Sequence, residues 1–261
     1  MSSICSDNHI HPFERIKTKA SMRSFAEIAK AKGLEKITFT EHAPHIAGLC
    51  SHGLTLEELE AYVAYTKELQ KEINFVEIKL GIEADWHISN LDFLNELINK
   101  YHFDYVLGSI HMHSDIYRDE ISKMEMKEIG DLAFKYSIEA VESGLFDAIA
   151  HLDFFRWLND QKRFGIWQEE YTPHCYEEIC KKLFNLMMQK KVLLEINSSG
   201  LNKNFQSILP SKVILNQASQ YDLKYIYGSD AHSPDFVAYG QNEVLNALKL
   251  KQKKNLVDFK F

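Results

Sequence analysis

Cysteine is scarce: Cys5, Cys50, Cys175 and Cys180 are the only four, and no two of them form a C-x-x-C pair. They are too few and too scattered for a disulfide scaffold, and no apolar leader opens the sequence, so a reducing cytoplasm is the expected setting. Long hydrophobic runs are missing too. Nothing approaches the ~20 apolar residues of a membrane span, so no membrane partner is expected. There is no Pro/Gly/Ser-rich linker, low-complexity tract or internal repeat, and residues 1–261 read as one domain. A basic excess is also absent, since 30 Lys and Arg stand against 37 Asp and Glu for a formal charge of −7. Such a chain is a poor non-specific partner for nucleic acid or anionic membranes. An anionic small molecule would need metal ions or arginines to reverse the local field.

What is present is an ordinary globular composition, 45% hydrophobic and 26% charged over 261 residues. Folding a chain of this size buries roughly 70–75% of its surface, so the core needs no staples. Short apolar runs at 36–40, 77–83, 103–111, 146–151, 191–197 and 223–232 are rich in Val, Ile, Tyr and Phe and read as buried strands. The segment 8–11 is a candidate seventh. Between them, residues 21–32, 55–73, 90–101, 124–143, 174–190, 210–220 and 241–250 carry apolar residues at helical spacing. Gly33 is a helix stop, and Thr55 followed by Glu58 is a capping box. This alternation predicts a parallel α/β sheet: a distorted seven-stranded (β/α)7 TIM-like barrel, with an open doubly wound sheet as the rival.

The chemistry gathers at the strand ends. His9 and His11 follow the first strand, Glu41 and His42 end the second, and Glu83 the third. His111 and His113 follow the fourth, His151 and Asp153 the fifth, Glu195 lies in the sixth, and Asp230 and His232 follow the seventh. In a parallel barrel these carboxyl ends form one rim, where active sites sit. Imidazole and carboxylate together suit zinc, manganese or iron. His9-x-His11, His151-x-Asp153 and Asp230-x-His232 each put two side chains on one face, because extended chain alternates with period two. Capping alone explains a terminal Asp or Glu, but it does not ask for histidine. His45, His52, His87, His102 and His174 read as solvent-facing, and His113 as a neighbour of His111.

In order, H-x-H (His9, His11), T-E-H-A (Thr40 to Ala43), G-I-E (Gly81 to Glu83), G-S-I-H (Gly108 to His111), A-H-L-D (Ala150 to Asp153), E-I-N-S-S-G (Glu195 to Gly200) and G-S-D-A-H (Gly228 to His232) resemble the PHP superfamily. Within it, the chain is similar to the monofunctional histidinol-phosphate phosphatases. The resemblance runs from about residue 7 to residue 235. It implies the distorted barrel and two or three divalent ions. The first would take His9, His11, Glu83 and Asp230, and the second Glu83 as a bridge with His111 and His151. The third would take His42 and His232 with a further histidine, absent from 12–21, for which Glu14 is the nearest substitute.

The implied reaction is hydrolysis of L-histidinol phosphate, late in histidine biosynthesis, by a metal-bound hydroxide that attacks phosphorus. Arg156, Arg163 and Ser198 are candidates to bind the phosphate, and Asp153 or His232 to protonate the leaving alcohol. Glu195 is read as a partner of a ligand or of the substrate amine. Three other readings stay open: a PHP-type phosphoesterase for another small phosphate or nucleotide, a metal hydrolase acting at carbon, and a metal-binding regulatory subunit without turnover. Oligomeric state is not readable.

Overall fold

Seven strands pair in chain order, every neighbouring pair parallel. They are β1 (Ser6–Ile10), β2 (Lys36–His42), β3 (Glu77–Asp85), β4 (Tyr105–Ser109), β5 (Ala148–Ile149), β6 (Leu193–Asn197) and β7 (Tyr225–Gly228). The computed structural model describes residues 4–45, 53–158, 173–203 and 205–257. The sheet curls until its edges meet. Asp230 N–H donates to the His9 carbonyl at 2.8 Å, and His11 N–H to that of Ala231 at 2.9 Å. The result is a seven-stranded TIM-like α/β barrel. β1, β4, β5, β6 and β7 are buried at every position, as expected of parallel strands covered on both faces.

The main helices lie outside: α1 (Lys19–Ala31), α2 (Leu56–Glu72), α3 (Leu91–Tyr101), α4 (Met126–Ser143), α5 (Glu177–Lys190), α6 (Lys212–Ala218) and α7 (Gln241–Ala247). Their starts and stops follow local chemistry. Thr55 Oγ1 accepts the Glu58 N–H at 3.2 Å while Glu58 Oε2 accepts the Thr55 N–H at 2.9 Å, closing the capping box. α1 buries Met22, Phe25, Ala26 and Ala29 on one stripe, and Gly33 leaves it at φ +80°. The helix predicted over 241–250 stops at Ala247 because Leu248 is extended, and a separate turn of helix follows over Leu250–Asn255.

Strand register decides what faces inward. Glu83 pairs with Leu107, Leu107 with Ala148, Ala148 with Leu193, and Glu195 with Ile226. These residues therefore share the inner face. Tyr105, Leu107, Ala148, Ala150, Leu193 and Ile226 form a small apolar plug there, and the polar rim stands above it. β4 and β7 are shorter than predicted, ending at Ser109 and Gly228. The residues beyond leave the ladder to present side chains at the rim, Asp230 doing so at φ +56°.

Candidate metal centre

Glu83 sits near the end of β3 and is 1% exposed. Its Oε2 lies 3.0 Å from His42 Nδ1 and 3.4 Å from both His9 Nε2 and His11 Nε2. Its Oε1 lies 3.0 Å from His151 Nε2 and 3.5 Å from His111 Nε2. Asp230 Oδ1 approaches His11 Nε2 at 3.4 Å and His9 Nε2 at 3.7 Å. Beyond it, His232 Nδ1 lies 2.9 Å from the Asp230 carbonyl, and His232 Nε2 lies 3.5 Å from Glu14 Oε2. The structure thus gathers all nine sequence-selected candidates, from six strand ends and the turn after β1, into one cup. Within it, His9, His11 and Glu83, then His9, His151 and Asp230, then His42, Glu83 and His111, and finally His11, His42 and His232 each offer ligand atoms within 4.8 Å of one another.

The donor set fits divalent cations. Three imidazole nitrogens surround buried Glu83 Oε2, yet that oxygen makes no hydrogen bond, and neither does buried Glu14 Oε2. His9 Nε2 and His11 Nε2 face each other at 3.0 Å, where only one proton fits between them. Buried polar atoms left so are costly without a shared positive partner.

Charge within the cup is polarised. Burial opposes ionisation of Glu83, but the charges of His9, His42 and His111 hold it well below the usual carboxylate range. Asp230 is likewise held low, against its burial, by His9 and His11. Burial also works against a charged His11, but the neighbouring carboxylates of Asp230, Glu41 and Glu83 push it up to about 10. His42 goes the other way: burial and the nearby His11 charge bring it down to about 3.

A second layer of carboxylates aims the rings. Glu195 Oε1 lies 2.7 Å from His9 Nδ1, while its Oε2 accepts the His151 N–H at 2.8 Å and Asn197 Nδ2 at 3.0 Å. Asp85 Oδ1 lies 2.8 Å from His111 Nδ1 and accepts the His111 N–H at 3.1 Å. Glu41 accepts the backbone N–H groups of Phe13 and Glu14 and brings Oε2 to 3.7 Å from His11 Nδ1. Sequence reasoning missed Asp85. The period-two rule applied to His9-x-His11 also pairs Glu83 with Asp85 and would have found it.

Other expectations change. His45 does not face solvent, since its ring is buried with Nε2 3.4 Å from Asp85 Oδ2. Ser198 is fully buried and donates to the Tyr239 carbonyl at 2.6 Å. The Arg156 guanidinium is buried under the chain. It lies 3.2 Å from Asp153 Oδ2 and donates to Ser207 Oγ at 3.1 Å and to the Ile208 carbonyl at 3.2 Å. Asp153 is itself fully buried and accepts the Ser211 N–H at 2.9 Å. The pair ties two loops together. His113 packs its ring 4.6 Å from Trp157 and 5.2 Å from His111. Arg163 and His52 lie outside the described residues.

The PHP domain family profile matches residues 7–199. The chain belongs to the PHP domain family. Its relatives include the histidinol-phosphatase of Bacillus subtilis, 28% identical over 267 residues, covering 92% of this chain and 97% of that one. Among solved structures, a Listeria monocytogenes chain superposes with a TM-score of 0.77 at 17% identity, covering 91% of this chain and 99% of the other. The Lactococcus lactis histidinol phosphate phosphatase, crystallised with zinc, L-histidinol and phosphate, superposes with a TM-score of 0.73 at 20% identity, covering 93% of each chain. At these identities the two structures bear on the fold of this PHP chain alone.

Proposed function

We propose that this PHP chain, acting as one domain over residues 1–261, is a metal-dependent phosphatase that hydrolyses L-histidinol phosphate to L-histidinol and inorganic phosphate in histidine biosynthesis. The observation that carries the reading is Glu83, one buried carboxylate with five imidazoles at its two oxygens. The curated relative from Bacillus subtilis, matched over nearly its full length, supports the substrate. Two or three ions, zinc, manganese or iron, would be held by His9, His11, Glu83 and Asp230, by Glu83, His111 and His151, and by His42, His232 and Glu14. Divalent ions supply Lewis acidity there, polarising phosphoryl oxygens and making water acidic enough to ionise near neutral pH.

The chain's own contribution is preorganisation. Glu195, Asp85 and Glu41 fix ring orientation, and the apolar plug below keeps the cup on a rigid floor. Metal-bound water, Asp153 or His232 would protonate the leaving alcohol, and the His232 ring is 31% exposed. Nδ1 faces the Asp230 carbonyl, so proton transfer falls to Nε2, the atom that would otherwise ligate the third ion. Metal stoichiometry decides between these uses, two ions leaving Nε2 free and three engaging it.

The partner is a small molecule, and the acidic balance disfavours nucleic acid and anionic membranes. Among the described residues no helix is long and apolar enough to cross a membrane. The proposed compartment is the cytoplasm. A panel of phosphate esters tests the substrate: histidinol phosphate is expected to exceed the others in kcat/KM by about 100-fold or more. A nucleotide or sugar phosphate taking first place, or ammonia released without phosphate, would overturn the reading.

A further inference from the structure

A cavity of about 400 Å³ opens at the end of the barrel opposite the cup, where α5 finishes and β6 and β7 begin. Its floor is apolar. Met187, Val192 and Leu223 are buried there, and Met188 is half-buried. Its mouth is charged by Lys191, Asp222 and Lys224, all three exposed. Lys191 holds φ +60° at the end of α5. Glycine is the ordinary choice at such a position, and the lysine sets a cation at the mouth instead. Among the described residues Lys191 forms no salt bridge. Lys224 Nζ donates to a neutral group, Asn255 Oδ1, at 3.1 Å, while Asn255 Nδ2 donates to Asp222 Oδ1 at 3.0 Å. Asp222 is held below the usual carboxylate range by that hydrogen bond and by the charges of Lys224 and Lys251. The chain carries −7 overall, yet this corner of its surface is positive.

We propose that the cavity binds a small amphipathic carboxylate, its aliphatic body on the methionine floor and its head group beside Lys191 and Lys224. The volume is that of a small-molecule site. Unbranched thioether side chains fit themselves to irregular apolar bodies, so Met187 and Met188 suit a flexible chain better than a branched floor would. Charge selects the head group. Two lysines against one aspartate leave a single positive charge at the mouth, which suits a monoanion and repels an amine. The site stands apart from the cup, because Val192 and Lys224 precede β6 and β7 whereas the candidate ligand Asp230 follows β7.

Calorimetry on the metal-loaded chain tests this with octanoate, octanol and acetate as probes. Each buried methylene adds about 4-fold in affinity, so octanoate should bind at least about 50-fold more tightly than acetate. A Lys191→Gln, Lys224→Gln double variant should weaken octanoate by about 5- to 20-fold, the scale of two exposed ion pairs, and leave octanol within about 2-fold. Met188→Trp fills the cavity from a half-buried position and should weaken octanoate and octanol alike by about 10-fold or more. Glu83→Gln separates this site from carboxylate capture by ions in the cup, and octanoate affinity there should stay within about 2-fold of wild type. Octanoate binding that is absent from the wild type, unchanged in the double lysine variant, or lost in Glu83→Gln would overturn the proposal.

Discussion

At the scale of single residues, the cup is governed by who holds the proton on each imidazole. Glu195 shows how tight that control is. Its Oε2 already accepts two N–H groups, and its Oε1 faces His9 Nδ1. In Glu195→Gln the amide NH2 has one tolerable place, toward His9, which must then accept at Nδ1 and carry its proton on Nε2, the atom aimed at the ions. Metal affinity should therefore fall by about 10- to 100-fold with the fold intact. Competition with a graded chelator measures it, and wild-type affinity in the variant would contradict the role. Proton linkage gives a second residue-scale expectation. Metal-free His11 keeps its proton up to about pH 10, whereas a metal ligand must be neutral. Ion binding must expel protons, so affinity should climb with pH across the neutral and mildly alkaline range. Adding zinc to weakly buffered apoprotein at pH 7 should acidify the solution, and an unchanged pH would refute the assignment.

At the scale of elements, strand ends do two jobs: they finish a ladder and they aim ligands. β7 shows the coupling. A Cβ on Gly228 would lie 2.0 Å from Glu195 Oε1 and 2.6 Å from His9 Cβ. Gly228→Ala should thus push Glu195 off His9, costing about 1–3 kcal/mol of stability and lowering metal affinity as Glu195→Gln does. Denaturant titration alongside chelator competition would show both, and a neutral variant would remove the close-packing argument. Far from the cup, Thr55→Ala removes one half of the α2 capping box. It should cost about 1 kcal/mol and lower Tm by about 2–4 °C, with kcat/KM unaltered. Helices and strands were legible because their signals are local: the Thr55–Glu58 cap, the Gly33 stop, the runs of β-branched residues. His9, His11, Glu83, His111, His151 and Asp230 were legible because parallel topology forces strand ends together. The partners of Arg156 and Ser198 were not legible, because Ile208 and Tyr239 lie 52 and 41 residues further along the chain. His45 was misread because its burial depends on Asp85, 40 residues further along the chain.

At the scale of the whole molecule, the barrel serves to bring distant side chains onto one carboxylate. Its inner apolar plug and outer helices are ordinary packing, while the rim concentrates buried carboxylates among buried imidazoles. Departures from the family pattern fall at that rim, where Glu14 occupies the segment expected to hold a histidine. The most direct test is elemental analysis of purified wild type and Glu83→Gln, paired with phosphate release from L-histidinol phosphate. Two or three divalent ions per wild-type chain, with both ions and turnover lost in Glu83→Gln, is the predicted result. A metal-free wild type that still turns over, or a Glu83→Gln protein with its full complement of ions, would contradict it.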